Sequence, residues 1–297
     1  MGSSIVSYDN LNRYIKTVRL SSLGGIRRQF DRLGESFWVF RGQSDSSWPL
    51  STSIERAATR RGPSFPDIES GIIDAFKSRA HIHIANPPTP GDDLEWLALM
   101  QHHGCPTRLL DFTRSPYVAL YFAVEELAQS SQGAVWAINS EGCDERAAER
   151  IHALQEWTTQ KEVLSQEDLL RRNIAGMLGE PTLFKKAFLS HQLDIVCTVQ
   201  PARHNSRMAS QQGCFLCPGS LSGGNSFEGN LFTQLVMAPF SAHFTPVWNP
   251  PQIWKIIIPG SSRAEIMREL RRMNITRATL FPDLEGFSKS LMHELLP

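Results

Sequence analysis

Apolar positions at Leu11, Tyr14, Ile15 and Val18 and, after Gly24-Gly25, at Ile26, Phe30 and Leu33 recur at helical spacing and predict a broken helix over 9–33. The period then changes. Phe37, Trp38, Val39 and Phe40 form a β-prone run before Arg41-Gly42, predicting a buried strand that ends at the glycine, with a Ser/Asp turn over 44–47. A helix over 67–81 follows, then a loop over 86–91, where prolines remove backbone donors. Asp92 caps the next helix, whose Leu94, Trp96, Leu97, Leu99 and Met100 surround it almost completely and mark it as buried; Gly104 and Pro106 end it. Ser115-Pro116 starts another helix, with the hydroxyl as cap and the proline pre-set for the first turn, and it is apolar nearly all round through Val124.

Strand signals then appear over 134–138, 194–199, 213–217 and 253–258. Residues 144–190 are more charged and mostly helical in pattern, a candidate insertion or subdomain. The Gly/Ser-rich stretch over 220–229 reads as a loop. An amphipathic basic helix is expected over 263–273, then a turn at Pro282 and a helix after Gly286. No internal repeat is present.

The composition is that of an ordinary globular chain: 41% hydrophobic and 20% charged over 297 residues. Thirty basic residues balance thirty acidic ones, so no global field draws the chain to nucleic acid or an anionic membrane, and the sequence carries no strong nucleic-acid-binding signal. Arginine, the better bidentate ligand for phosphate, far outnumbers lysine. Five cysteines, at 105, 143, 197, 214 and 217, fit reduced thiols better than a disulfide framework. With no secretory leader pattern and no apolar run near the roughly 20 residues of a membrane span, a cytoplasmic protein is expected.

Four blocks stand out: Phe40-Arg41-Gly42-Gln43; the run from Gln101-His102-His103-Gly104-Cys105-Pro106-Thr107-Arg108-Leu109-Leu110-Asp111-Phe112-Thr113-Arg114-Ser115-Pro116 into Ala119-Leu120-Tyr121-Phe122-Ala123; Arg207 with Gln211-Gln212-Gly213-Cys214-Phe215; and Leu280-Phe281-Pro282-Asp283-Leu284-Glu285-Gly286. Together they resemble the FRG domain family over about residues 36–290. That layout is in turn similar to a divergent ADP-ribosyltransferase. The resemblance implies an α+β fold with an ADP-ribosyltransferase-like split or mixed β-sheet core. The whole of 1–297 would be one FRG-like domain, with an N-terminal helical segment over 1–35 and a helical insertion over 141–192. It also implies an enzyme that consumes NAD, as an ADP-ribosyltransferase or NAD glycohydrolase, and a toxin or effector role in bacterial and phage conflict. The partners would be a macromolecular acceptor, protein or RNA, and an antitoxin or regulatory protein.

The residues give this chemistry a physical basis. NAD carries a pyrophosphate, and Arg41 beside Gly42 offers a bidentate fork with room for close approach. The helix opened by Ser115 presents free amides to a second anion, while Thr113 is placed to bond an amide such as nicotinamide. His102 and Asp111 complete the expected cofactor set. Breaking the nicotinamide–ribose bond develops positive charge, which a carboxylate under the sugar stabilises; Glu55, Glu285 and the amide of Gln211 are the candidates, with Asp111 and Asp283 also available. The third block lacks the usual late glutamate pair. Asp111 equally fits an ion pair with Arg41 or Arg108.

Two other classes remain open: a non-enzymatic module that senses a nucleotide or phosphate, and a Cys–His hydrolase built on Cys105 with His102 or His103. Cys214-Phe215-Leu216-Cys217 is an isolated CxxC whose alternation fits a strand, so no metal is expected. The helix over 263–273, followed by Arg277, reads as a solvated basic face.

Overall fold

The computed structural model describes residues 15–34, 37–59, 65–152, 181–190, 193–221, 225–236 and 253–295. Its architecture is α+β around one mixed sheet of seven strands: β1 (Ile15–Arg19), β2 (Trp38–Gln43), β3 (Leu110–Thr113), β4 (Gln132–Asn139), β5 (Val196–Val199), β6 (Gly213–Pro218) and β7 (Ile253–Pro259). Their spatial order is β1-β7-β4-β2-β3-β6-β5, with β1 parallel to β7 and every other pair antiparallel. Twelve α-helices lie among the described residues: α1 (Leu23–Leu33), α2 (Ser53–Thr59), α3 (Phe65–Ala80), α4 (Asp93–His102), α5 (Pro116–Val124), α6 (Ser140–His152), α7 (Pro181–Phe184), α8 (Ser206–Ser210), α9 (Phe227–Val236), α10 (Arg263–Arg272), α11 (Arg277–Leu280) and α12 (Leu284–Leu295). A π-helical turn, Lys185–Ser190, continues α7.

Period-two alternation divides the core. Phe40, Val135, Ala137, Ile256 and Ile258 face α1, α5 and α10, where they meet Ile26, Phe30, Leu120 and Ile266. Val39, Trp136, Ile138 and Ile253 face the other way, with Phe227 and Leu231 of α9. A third cluster joins α3, α4, α6 and the 181–190 segment to β5 and β6 through Leu97, Ala147, Phe184, Phe188, Cys197 and Cys217. The expected insertion over 141–192 is therefore helical where it is described and is built into this core; residues 153–180 lie outside the described set.

Three sequence expectations are corrected. Residues 15–19 form a strand, not part of an N-terminal helix: β-branched Ile15, Thr17 and Val18 complete the edge of β7, from Ile15↔Ile253 to Arg19↔Ile257, and the helix starts only at Leu23 behind the Ser22 cap. The strand at Trp38 does not end at Gly42 but continues to Gln43, paired with β4, while Phe37 precedes it and is exposed. Residues 227–229, expected as loop, open α9, whose buried Phe227 and Leu231 are interleaved with buried Asn230 and Gln234. Gln234 accepts from Val196 N and donates to Cys143 O, so polar side chains hide the helical period. Leu11 and Tyr14 lie outside the described residues.

Ser115 caps α5 as expected, accepting from Val118 N, with Pro116 in the first turn. Two glycines let this apolar helix lie directly on the sheet. A Cβ at Gly42 would stand 2.0 Å from Ala119 O, and one at Gly133 would stand 2.5 Å from Ala123 O. No helix among the described residues is long and apolar enough to cross a membrane.

Candidate functional site

The site begins where the sheet splits. β2 and β3 share one registered pair, Phe40↔Thr113, and then part. Into the gap reaches Arg41, whose Nη1 donates to the carbonyl of Asp111 at 2.6 Å in place of the lost ladder bonds. Around this gap lies a cleft of about 480 Å³, within the ordinary range for a small-molecule site. All four sequence blocks meet there: Arg41 and Gly42 from β2, Asp111 to Thr113 from β3, Arg207 and Gln211 around α8, Phe281 and Asp283 between α11 and α12, and Glu285 and Gly286 from the first turn of α12.

No carboxylate among the described residues pairs with Arg41. The Asp111 carboxylate accepts instead from Gln101 Nε2 at 2.9 Å. Arg41 Nε is buried with no partner among the described residues. Desolvation pushes the guanidinium below its usual range, the Asp111 charge opposes this, and nearby Arg56 adds to it. Guanidinium remains charged at this cost, so an unpaired, desolvated fork facing a polar cleft has unused capacity for an anion.

The opposite wall is built around Phe281. Arg207 and Arg277 place their guanidinium carbons 4.6 and 4.8 Å from its ring centroid, and Phe122 meets it edge-on at 6.0 Å. Arg277 pairs with buried Glu125, which also accepts from Tyr121 Oη at 2.8 Å. Arg277 Nε is a second buried donor without a partner among the described residues. Asp283 Oδ1 accepts from Gly286 N at 2.6 Å and fixes the turn into α12.

The expected residues divide into those that reach the cleft and those the fold uses elsewhere. Arg41, Asp111, Gln211 and Glu285 line it. Gln211 donates its side-chain amide to Leu280 O at 3.1 Å, and Glu285 is exposed at the rim, paired with Lys289 at 2.5 Å, which holds its carboxyl below the usual range. Gly42 lines the cleft, but the close approach it permits is that of α5. Thr113 also borders it, yet its hydroxyl donates to Gln211 O at 2.6 Å and accepts from Ser115 N, so the nicotinamide contact expected of it is already taken by the protein. Ser115 lines neither this cleft nor its neighbour; its hydroxyl caps its own helix.

Glu55 is corrected most fully. Its carboxylate accepts from Thr52 N, Thr52 Oγ1 and Phe227 N at 2.6–2.9 Å, joining the start of α2 to that of α9, and it is absent from the cleft wall. Burial pushes its carboxyl up despite these bonds. Arg108, considered as the partner of Asp111, makes instead a buried ion pair with Glu69 and donates to Phe188 O and Gly219 O, tying α3 to the 181–190 segment and the end of β6.

His102 lies in a smaller neighbouring cleft of about 230 Å³ with Cys105, Arg56 and Asn205. The two clefts share Asp111, Phe112, Arg207 and Gln211. Desolvation, His103 and Arg207 lower the His102 pKa, and Asp283 opposes them. Burial pushes the Cys105 thiol up, the reverse of what a thiolate nucleophile requires. Cys214 and Cys217, three apart in β6, face different core clusters, so their side chains diverge. Among the described residues no group of three or more potential ligands is placed to hold a metal ion.

Sequence reading overlooked Glu125, Glu126 and the cleft role of Arg277. One signal was present: an acidic pair at the C-terminus of an apolar helix opposes the helix dipole and calls for cations. Arg277 supplies one, and Arg263, on the helix expected as a solvated face, caps that end by donating to Val124 O and Glu125 O.

The FRG domain family model matches residues 36–132, from just before β2 to the first residue of β4. The third and fourth blocks lie beyond the matched segment, although they complete the same cleft. No curated protein and no solved structure matches the chain.

Proposed function

The chain carries an FRG domain over residues 36–132, and from that premise we propose that the larger cleft binds NAD and that the protein cleaves its nicotinamide–ribose bond, as an ADP-ribosyltransferase or NAD glycohydrolase. The observation that carries this reading is Arg41: a desolvated guanidinium with an unsatisfied Nε and no carboxylate partner among the described residues, set in a polar cleft that all four blocks build. A diphosphate supplies paired non-bridging oxygens that can accept two parallel N–H bonds from such a fork. Arg277, across the cleft, offers its own unsatisfied Nε to the same anion. Of the carboxylates that line the space, Asp111 and Glu285 would stabilise the oxocarbenium-like sugar, with the amide of Gln211 on the same wall. The macromolecular acceptor, the antitoxin or regulatory partner, the cytoplasmic setting and the role in bacterial and phage conflict extend this reading from the family resemblance.

A second reading is a nucleotide-sensing module. It is favoured by the fate of Glu55 and Thr113, both tied into the fold by their own hydrogen bonds. Incubation of the protein with NAD and cell lysate separates the two, with free nicotinamide and labelled ADP-ribose on protein and on RNA followed in parallel. The enzyme releases nicotinamide, and Arg41→Gln lowers the rate at least a hundredfold in protein that still melts cooperatively. NAD bound tightly but never cleaved would leave the sensor; NAD neither bound nor cleaved by folded protein would sink both.

A further inference from the structure

We propose that the smaller cleft is the site of a second substrate, a nucleotide whose terminal phosphate is held by Arg56 and Arg207 and receives the ADP-ribose. Among the described residues no carboxylate pairs with Arg41, Arg56 or Arg207, whereas Arg108 and Arg277 are matched to Glu69 and Glu125. Three unpaired guanidiniums from β2, α2 and α8 surrounding the shared wall exceed what one diphosphate on Arg41 requires. The Arg56 guanidinium donates to the Ser51 carbonyl, and Arg207 lies over the Phe281 ring. Both line the smaller cleft, where Asp111 is the one carboxylate among the described residues. Exposed His102 lines the same cleft, its imidazole edge-to-face with His103 at 4.9 Å, and offers a flat surface to a base. Because Asp111 and Gln211 border both clefts, a phosphate held in one lies next to a ribose held in the other.

The chemistry suits this wall. A phosphate oxygen forms a bond to the ribose carbon as the carbon–nitrogen bond breaks, and the bonding pair leaves with nicotinamide, discharging its ring. A phosphate dianion attacks without surrendering a proton, so the step needs no general base. That agrees with a site from which Glu55 has been withdrawn into the core. The acceptor role rests on the NAD reading above; the phosphate site does not.

Calorimetric titration of the full chain with adenosine 5′-monophosphate, adenosine and inorganic phosphate tests this, with NAD titrated alongside. The monophosphate is expected to bind at least tenfold more tightly than adenosine or inorganic phosphate. Arg56→Gln should weaken it at least tenfold while leaving NAD affinity within twofold and the melting temperature unchanged. Equal binding of adenosine would overturn the phosphate contact, and equal binding of inorganic phosphate would overturn the nucleotide assignment. Monophosphate affinity lost in Arg41→Gln but kept in Arg56→Gln would move the ligand to the larger cleft and overturn the proposal. Monophosphate bound through Arg56 while NAD binds nowhere would uphold the phosphate site and refute the NAD reading, so the two fail separately.

Discussion

At Gly42 an added carbon would stand 2.0 Å from Ala119 O and 2.6 Å from Ala123 N, both backbone atoms of α5. Neither can rotate away as a side chain would, so relief requires the whole helix to lift from β2. Gly42→Ala is therefore expected to destabilise the chain by about 3 kcal/mol or more, the upper end of overpacking costs, and to shift its melting temperature downward. A variant that melts like the wild type would show that α5 sits further from the sheet. This side of Gly42 explains why the sequence misled about it: a glycine after an arginine signals close approach, but not whether ligand or helix approaches. Arg41 carried the same ambiguity, and its spare donor shows only in the unsatisfied Nε. Glu55, expected under the ribose, stands three residues after Thr52, the spacing of a capping box, yet its third bond comes from Phe227 N, far along the chain.

Elements with strong local signals were legible. Ser115-Pro116 opened α5 and Asp92 capped α4 because caps and fixed φ act within one turn. β1 was not, since the i,i+3 spacing of Ile15 and Val18 reads as helical and the strand forms on the edge that β7 offers. The junction of α6 with β5 was equally silent: Asp144 Oδ1 accepts from Thr198 N at 2.7 Å, and burial pushes its carboxyl up to about 7 from an ordinary 3.8. A carboxyl raised in the folded state is more protonated there than in the unfolded chain. Its contribution to stability is full below about pH 4 and is lost as pH rises through 7. Asp144→Asn keeps an acceptor for Thr198 N and does not titrate. Between pH 4 and 7 the wild type should lose stability relative to this variant, as read by urea unfolding; parallel curves would mean that Asp144 is solvated. Glu55 and Glu228 are raised by burial too and act in the same direction, which is why the difference between the two proteins is the useful quantity.

Across the whole molecule, the cleft exists only because chain segments more than two hundred residues apart converge on the split between β2 and β3. The matched segment, residues 36–132, supplies Arg41 and Asp111, but the far wall, from Arg207 to Lys289, comes later in the sequence. The four blocks were visible as blocks, and their shared destination was not, because nothing local encodes the order in which β3, β6 and α11 are brought together. This arrangement makes ligand binding a stability term. A ligand that bridges Arg41 on the sheet to Arg277 on α11 ties the two walls in the folded state alone, and at a hundred times its dissociation constant it adds about 2.7 kcal/mol. NAD in that excess should raise the wild-type melting temperature by several degrees. Arg41→Gln should abolish the rise while keeping a cooperative transition, and Arg277→Gln should reduce it, losing some intrinsic stability as well because buried Glu125 would lose its ion pair with Arg277. An equal rise in wild type and Arg41→Gln would place NAD away from the split sheet, and no rise at saturating NAD would remove it from the molecule.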